Sequence, residues 1–233
     1  MSRKRIAIIL ARGGSKRLPG KNIMEFAGKP MLAWSVEAAL DSGVFDRVLV
    51  STDDEAIADV GRRYGAEVPF LRERANDDHS PTSLATHAAL LQAEAYWGCR
   101  YDVVAQLMAN CPLRNAEDIR AGMTAFEQAT APSQISCFRF GWMNPWWAVK
   151  LADSGRPEQL FPEALKARSQ DLEALYCPTG ALWLAERDAF LENKTFYMDD
   201  HRFEPLHWIS AVDIDDRDDL LMAQACAALR QQQ

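Results

Sequence analysis

A mostly parallel α/β architecture, with helices flanking a central sheet and one protruding arm, is what this sequence predicts, on three observations. Short apolar runs alternate with helical patterns through the first half of the chain, the rhythm of βαβ units. The first apolar run feeds straight into a glycine-rich basic loop, Ala11 to Asn22, the usual junction between a strand and a ligand at a sheet's carboxyl rim. The rhythm then breaks after Ile135-Ser136-Cys137 into a stretch rich in tryptophan and proline, residues 142–175, which reads as an inserted arm on a single domain spanning 1–233.

Taken in order, the predicted elements are a strand at Ile6–Ala11, a helix at Met31–Asp41, a strand at Arg47–Ser51, a helix at Asp54–Tyr64 and a strand at Val68–Leu71. A helix at Ser83–Trp97, a strand at Val103–Met108 and a helix at Ala116–Gln128 continue the pattern. The strands are near-continuous apolar runs, as expected when both faces of a parallel sheet are covered. In the arm, Trp142, Pro145, Trp146, Trp147, Gly155, Pro157 and Pro162 suit a hairpin and irregular chain, with subunit contacts or packing within one subunit as its two uses. Ala181–Ala185 and Ile209–Ile214 read as returning strands, and Arg217–Leu229 as a closing amphipathic helix.

The 233 residues are enough to bury a sizeable core. With 26 basic against 33 acidic residues the formal net charge is -7, which argues against nucleic acid as a partner and makes the basic loop a local feature of an acidic protein. Met1 to Arg5 is short and charged, and the apolar run behind it is too brief for a signal segment or a membrane span, so a cytoplasmic location away from membranes is expected. Five cysteines without a Cys-x-x-Cys pair fit reduced thiols. Cys111, in Asn110-Cys111-Pro112, is either a reactive thiol or a small residue in a tight turn.

The loop carries the clearest chemistry. Gly13, Gly14 and Gly20 permit close backbone approach, and Arg12, Lys16, Arg17 and Lys21 supply positive charge, so a nucleoside triphosphate is the expected guest. The P-loop spacing is missed by one residue and Asn22 stands where a metal-binding hydroxyl belongs; the dinucleotide fingerprint lacks its third glycine. A second acidic feature, Val212-Asp213-Ile214-Asp215-Asp216, ends the Ile209 strand. Alternation along a strand puts Asp213 and Asp215 on one face, where they can hold a hard cation, magnesium by preference, while another of the acids caps the last helix. Arg72 is placed to reach a base or phosphate, and Thr82 and Ser83 to read a base edge from a helix start. His79, His87, His201 and His207 have no ligand spacing, and no nucleophile elbow is present.

With Ala11-Arg12-Gly13-Gly14-Ser15-Lys16-Arg17-Leu18-Pro19-Gly20-Lys21-Asn22, Ser51-Thr52-Asp53-Asp54, Pro69-Phe70-Leu71-Arg72, Cys111-Pro112-Leu113-Arg114, Arg168-Ser169-Gln170-Asp171-Leu172 and Asp213-Ile214-Asp215 in collinear order, the chain resembles the acylneuraminate cytidylyltransferases, the CMP-sialic acid synthetases. The resemblance implies a Rossmann-like nucleotidyltransferase fold, transfer of CMP from CTP to the anomeric hydroxyl of an acidic nine-carbon sugar, pyrophosphate release, Mg2+, and a homodimer whose arm reaches the neighbouring site. By position it assigns Arg12, Lys16 and Lys21 to the triphosphate, Asn22, Arg72 and Ser83 to the cytidine, and Asp213 and Asp215 to the metal. Asn110 lies in the stretch matched to the family's substrate-binding segment, Arg168 matches an arm arginine directed at the partner subunit, and Phe196-Tyr197 resembles an aromatic pair on the sugar's acyl group. The related activation of the eight-carbon acid Kdo, or a non-catalytic nucleotide-binding relative, are the rival readings.

Substrate choice is where the sequence departs from that pattern. Relatives acting on N-acetylneuraminate commonly read Leu-Gln-Pro-Thr-Ser-Pro-Leu-Arg, and here Met108 stands at the glutamine in Leu107-Met108-Ala109-Asn110-Cys111-Pro112-Leu113-Arg114. A thioether does not give the two-sided hydrogen bonding of an amide, so a related acidic sugar such as a diacetamido nonulosonate is expected.

Overall fold

The computed structural model describes residues 3–73 and 80–230; His79 lies outside the described residues, as do 1–2 and 231–233. Strands β1 (Arg5–Leu10), β2 (Glu25–Phe26) and β3 (Lys29–Pro30) precede helix α1 (Met31–Ser42), followed by β4 (Arg47–Ser51), α2 (Glu55–Arg63), α3 (Thr82–Trp97), β5 (Val103–Met108), α4 (Ala116–Gln128) and β6 (Ser133–Arg139). Then come the short strands β7 (Val149–Leu151) and β8 (Pro157–Gln159), the long β9 (Tyr176–Glu186), α5 (Arg187–Asn193), β10 (Arg202–Pro205) and α6 (Arg217–Arg230).

Six strands form one sheet in the order β10-β6-β9-β5-β1-β4. All but β9 run the same way: β1 pairs parallel with β4 and β5, β10 parallel with β6, and β9 lies antiparallel between β5 and β6. The two faces are covered by different helices because successive strand residues alternate sides. In β1, Ala7 and Ile9 pack with Leu32 and Val36 of α1 and Ile119 and Met123 of α4, whereas Ile6, Ile8 and Leu10 pack with Ala85, Ala89 and Leu90 of α3 and with Phe190. The expected mostly parallel sheet, covered on both faces, is observed.

Local chemistry starts and stops the helices that matter for the site. Asp54 caps α2, its carboxylate accepting from the Ala56 and Ile57 amides at 2.8 and 3.1 Å. A reciprocal capping box of Asn115 and Asp118 starts α4, so the chain turns sharply away from the end of β5. These caps leave the loops after β1, β4 and β5 side by side at one rim.

Two predicted strands are not strands. At 66–71 only Glu67 bridges the sheet, to Leu49; Pro69 has no amide to continue the ladder, and the chain leaves the edge there. Residues 207–212 instead form successive turns, with the amides of Ser210 and Ala211 donating to the carbonyls of His207 and Trp208, and 213–214 follow as irregular chain. The apolar residues that suggested a strand, Ile209 and Ile214, fill a separate cluster with Leu18, Phe26 and Met31. The strand in this region is β10, just upstream, whose Phe203 and Pro205 suit an edge.

Within 142–175, β7 and β8 form an antiparallel hairpin turned through Gly155 at φ 78°. Trp146 packs within that segment, edge-on to Phe161 at 5.1 Å and with its indole N–H donating to the Glu173 carbonyl. Trp142, Trp147 and Leu151 are left exposed.

Candidate functional site

The basic loop and the acidic couplet meet although nearly the whole chain separates them. Lys21 Nζ donates to Asp215 Oδ1 at 2.9 Å and to the Ile214 carbonyl at 2.7 Å, and Arg17 donates to Asp215 Oδ2 at 2.6 Å. The loop is held open for this by its glycines and by buried Asn22. Gly20 sits in the left-handed region, φ 68°, immediately before Lys21, and Asn22 Nδ2 ties back to the Arg12 carbonyl at 2.9 Å. The Gly13 amide donates to Asp53 Oδ1 at 3.0 Å, and a methyl group on Gly13 would lie 2.7 Å from Asp54 Oδ2, so the loop's first turn needs glycine to lie against the end of β4.

Strand alternation does not bring the two carboxylates together, because that segment is turns and irregular chain. Asn110, two residues beyond the end of β5, does it. Its side-chain amide nitrogen donates to Asp213 Oδ1, to the Ile214 carbonyl at 3.0 Å and to Asp215 Oδ1 at 3.3 Å, and its backbone carbonyl accepts from the Ile214 backbone amide at 2.9 Å. One buried side chain therefore fixes the whole acidic turn. Of the further acids, Asp216 bonds the Asp218 and Asp219 amides at the start of α6, the expected helix cap.

The electrostatics of the pair are asymmetric. Burial, then the neighbouring Asp215 charge, push the Asp213 carboxyl up to about 6. Burial also pushes Asp215 up, but the hydrogen bonds and charges of Lys21 and Arg17 outweigh it and leave that group below the usual carboxylate range. A buried carboxyl raised by burial and by a second carboxylate beside it is an arrangement a divalent ion relieves. Magnesium needs only one or two protein carboxylates beside substrate phosphates and water, so Asp213 and Asp215 fit it; among the described residues no larger metal-ligating cluster exists.

A cavity of 440 Å³ opens beside these groups, walled by Arg12, Lys16, Lys21, Asn22, Arg72, Thr82, Asn110 and Asp215, with Ser80 and Met108 completing its rim. Arg72 is buried, its guanidinium donating to the Ser51 carbonyl at 2.7 Å, and burial lowers its pKa. Thr82 Oγ1 accepts from Gln106 Nε2 at 3.3 Å, itself fixed by Thr86. Ser83 is buried in the first turn of α3 and is not on the cavity wall. Arg168 also stays away: it is exposed on the arm, chelated by Asp171 through two contacts of 2.7 and 3.1 Å. Cys111 is wholly buried and burial raises its pKa, so the small-residue-in-a-turn reading holds and the reactive-thiol one does not.

A second cavity of 680 Å³ has Asp213 and Gly180 in its wall, and Gly180 lies against Met108, which lines the first. Tyr197, Trp183 and Trp208 wall it. Of the aromatic pair singled out in the sequence, only Tyr197 reaches it: Phe196 is fully buried, 4.5 Å from the ring of Phe190 and 5.5 Å from that of Trp183. Trp183, Trp208 and Met222 were not singled out in the sequence, since nothing local marks residues from three separate elements as neighbours.

The fold and this rim define an α/β protein with a cluster of cations and the Asp215 carboxylate around one cavity at the end of a mostly parallel sheet. Comparison with known proteins agrees. The Cytidylyltransferase family profile matches residues 6–204. The pseudaminic acid cytidylyltransferase of Campylobacter jejuni (serotype O:23/36) is 35% identical over 225 residues, 95% of each chain. The CMP-N,N'-diacetyllegionaminic acid synthase of Legionella pneumophila is 34% identical over 237 residues, 97% of each. A solved CMP:2-keto-3-deoxy-manno-octonic acid synthetase in complex with CTP superposes with a TM-score of 0.69 over 99% of this chain and 100% of that one, at 17% identity. This chain belongs to the cytidylyltransferase family and is a nucleotidyltransferase.

Proposed function

We propose that this protein transfers CMP from CTP to the anomeric hydroxyl of an acidic nonulosonic sugar, releasing pyrophosphate. The observation that carries the reading is the linking of Lys21, Asn110 and Asp215 at the wall of one cavity, with Asp213 tied to them through Asn110. Family membership and the names of the two 34–35% identical relatives support the nucleotide and the sugar class.

Arg12, Lys16 and Lys21 hold the triphosphate, and Asn22, Arg72 and Thr82 line the end of the cavity where the cytidine sits. Their work is positioning and charge stabilisation: the hydroxyl attacks the α-phosphorus while the pyrophosphate builds negative charge against fixed cations. Lys21 and Arg17 pair with Asp215 before substrate arrives, which keeps these cations ordered at little reorganisation cost. Asp213 and Asp215, their segment fixed by Asn110, would hold magnesium, which when bound would supply further neutralisation of the phosphates. The acceptor sugar approaches from the second cavity, on the Asp213 side.

The arm fits a homodimer interface, since Trp142, Trp147 and Leu151 are exposed on one protruding element, and pairing would bring Arg168 to a partner's site. No helix among the described residues is long and apolar enough to cross a membrane; the location proposed for the enzyme is the cytoplasm. Pyrophosphate release from CTP, assayed with a nonulosonic acid and with 2-keto-3-deoxy-manno-octonic acid, tests the reading: turnover with the first upholds it, and turnover with only the second, or with neither, overturns it. Light scattering in solution tests the dimer, and a monomeric mass at micromolar concentration would remove that part.

A further inference from the structure

Strand β9 is interrupted where it passes the site. Trp183 stands opposite Ile135 and Pro178 opposite Cys137, so the β9 residues from Thr179 to Leu182 face Ser136 alone. A bulge of this kind gives up ladder bonds, and here they are supplied from outside the ladder. Ser136 Oγ donates to the Thr179 carbonyl and accepts from the Leu182 amide, each at 3.0 Å, and the Trp183 indole donates to the same Thr179 carbonyl at 2.7 Å. Arg114 Nη1 donates to the Ala181 carbonyl at 2.6 Å.

Arg114 is the hardest of these groups to bury. It is 1% exposed, burial lowers its pKa to about 10 so that it stays charged at neutral pH, and its Nε and Nη2 have no hydrogen-bond partner. An apolar side chain would fill the same space without desolvating a cation, so packing does not account for it. What the guanidinium holds does. The bulge carries Gly180, where a methyl group would lie 2.7 Å from Met108 Cγ and 3.6 Å from Asp213 Oδ2. It also carries Thr179, whose hydroxyl donates at 2.8 Å to the carbonyl of Ala211, two residues before Asp213. Asn110, which holds Asp213 directly, and Arg114 belong to the same pair of tight turns after β5, closed by the Cys111 amide on the Met108 carbonyl and the Arg114 amide on the Cys111 carbonyl. Three struts thus close a triangle: turns to acidic segment through Asn110, turns to bulge through Arg114, and bulge to acidic segment through Thr179.

We infer that Arg114 is a positioning residue for the acidic couplet: by pinning the β9 bulge it fixes where Asp213 sits. The inference rests on the metal role proposed above for Asp213 and Asp215 and adds a residue that hydrogen-bonds to neither carboxylate. Its test is Mn2+ affinity in the presence of CTP, read by electron paramagnetic resonance, together with kcat and the melting temperature in EDTA, on Arg114→Met, Arg114→Lys and Thr179→Val. Arg114→Met is expected to weaken Mn2+ binding about 10–100-fold and to lower kcat, while melting close to wild type because an incompletely paired cation leaves along with its one hydrogen bond. Arg114→Lys keeps a single charged donor and is expected to recover most of the affinity. Thr179→Val removes the neighbouring strut and is expected to weaken Mn2+ binding in the same direction. Unchanged Mn2+ affinity in Arg114→Met overturns the inference, as does Arg114→Lys binding no better than Arg114→Met. So does a loss of affinity that comes with a melting temperature well below wild type in both Arg114→Met and Thr179→Val, the mark of a structural role alone. Should Arg114→Met fail to fold, unchanged affinity in Thr179→Val overturns it instead. A wild type that binds Mn2+ with CTP yet turns over no acidic sugar, with the variants weakened as stated, overturns the cytidylyltransferase reading and leaves this inference standing.

Discussion

Replacing Asp213 with asparagine should stabilise this protein at alkaline pH while abolishing its activity. In the native state burial and Asp215 raise the Asp213 carboxyl from 3.8 to about 6. The folded chain therefore holds this proton more tightly than the unfolded chain does. The contribution to stability is complete below the unfolded value of 3.8, is lost as pH rises through about 6, and leaves the ionised native group at a disadvantage of about 3 kcal/mol at pH 8. Asp213 keeps some contact with solvent, so a gain of about 1–3 kcal/mol is expected for the uncharged amide. Asparagine is isosteric and still offers Oδ1 to the Asn110 amide, so packing and the hydrogen bond are retained. Urea denaturation in EDTA measures it directly: Asp213→Asn should exceed wild type at pH 8 by that amount, and by about a third of it at pH 4.5, where most wild-type native molecules are already protonated. A variant less stable than wild type at pH 8, or a gain that does not shrink at pH 4.5, would refute the account of a carboxylate ionised against its surroundings.

Other perturbations separate the roles assigned here. Lys21→Ala and Asp215→Asn should each lower turnover by about 10²–10³, and the double variant should lose far less than the product because the two groups touch; steady-state kinetics on all four proteins would show it. Asn110→Ala should weaken Mn2+ binding in the presence of CTP about 10–100-fold, read by electron paramagnetic resonance, because the acidic turn loses its shared donor; unchanged affinity would remove Asn110 from that role. Phe196→Ala should cost about 3–5 kcal/mol in chemical denaturation as a core cavity, whereas Tyr197→Ala should leave stability near wild type and raise KM for the sugar.

Much of this was legible in the sequence, for identifiable reasons. The β1 strand and its loop declare themselves locally: six apolar residues buried on both faces, then glycines and cations within a dozen positions. Helical patterning did the same for α2 and α4. Asp213 and Asp215 were picked for a sound chemical reason and an unsound geometric one, since turns and the Asn110 amide, not strand alternation, make them converge. The false strands at 68–71 and 209–214 arose because apolar side chains that plug a core from a turn look like strand residues until their backbone partners are known. The second cavity was illegible for a related reason. Phe138 is on β6, Trp183 on β9, Met222 on α6, and Tyr197 and Trp208 are in loops, and only the sheet order brings them together.

A crystal of the protein grown with CTP and Mn2+, with the anomalous signal of manganese mapped, bears most directly on the claim that the amino-terminal cations and the late aspartates grip one nucleotide. The account predicts a manganese peak within bonding distance of carboxylates of Asp213 or Asp215 and of a CTP phosphate oxygen, with Lys21 and Arg12 on the same triphosphate. CTP seated away from that loop, or manganese bound with no aspartate of the couplet, would contradict it.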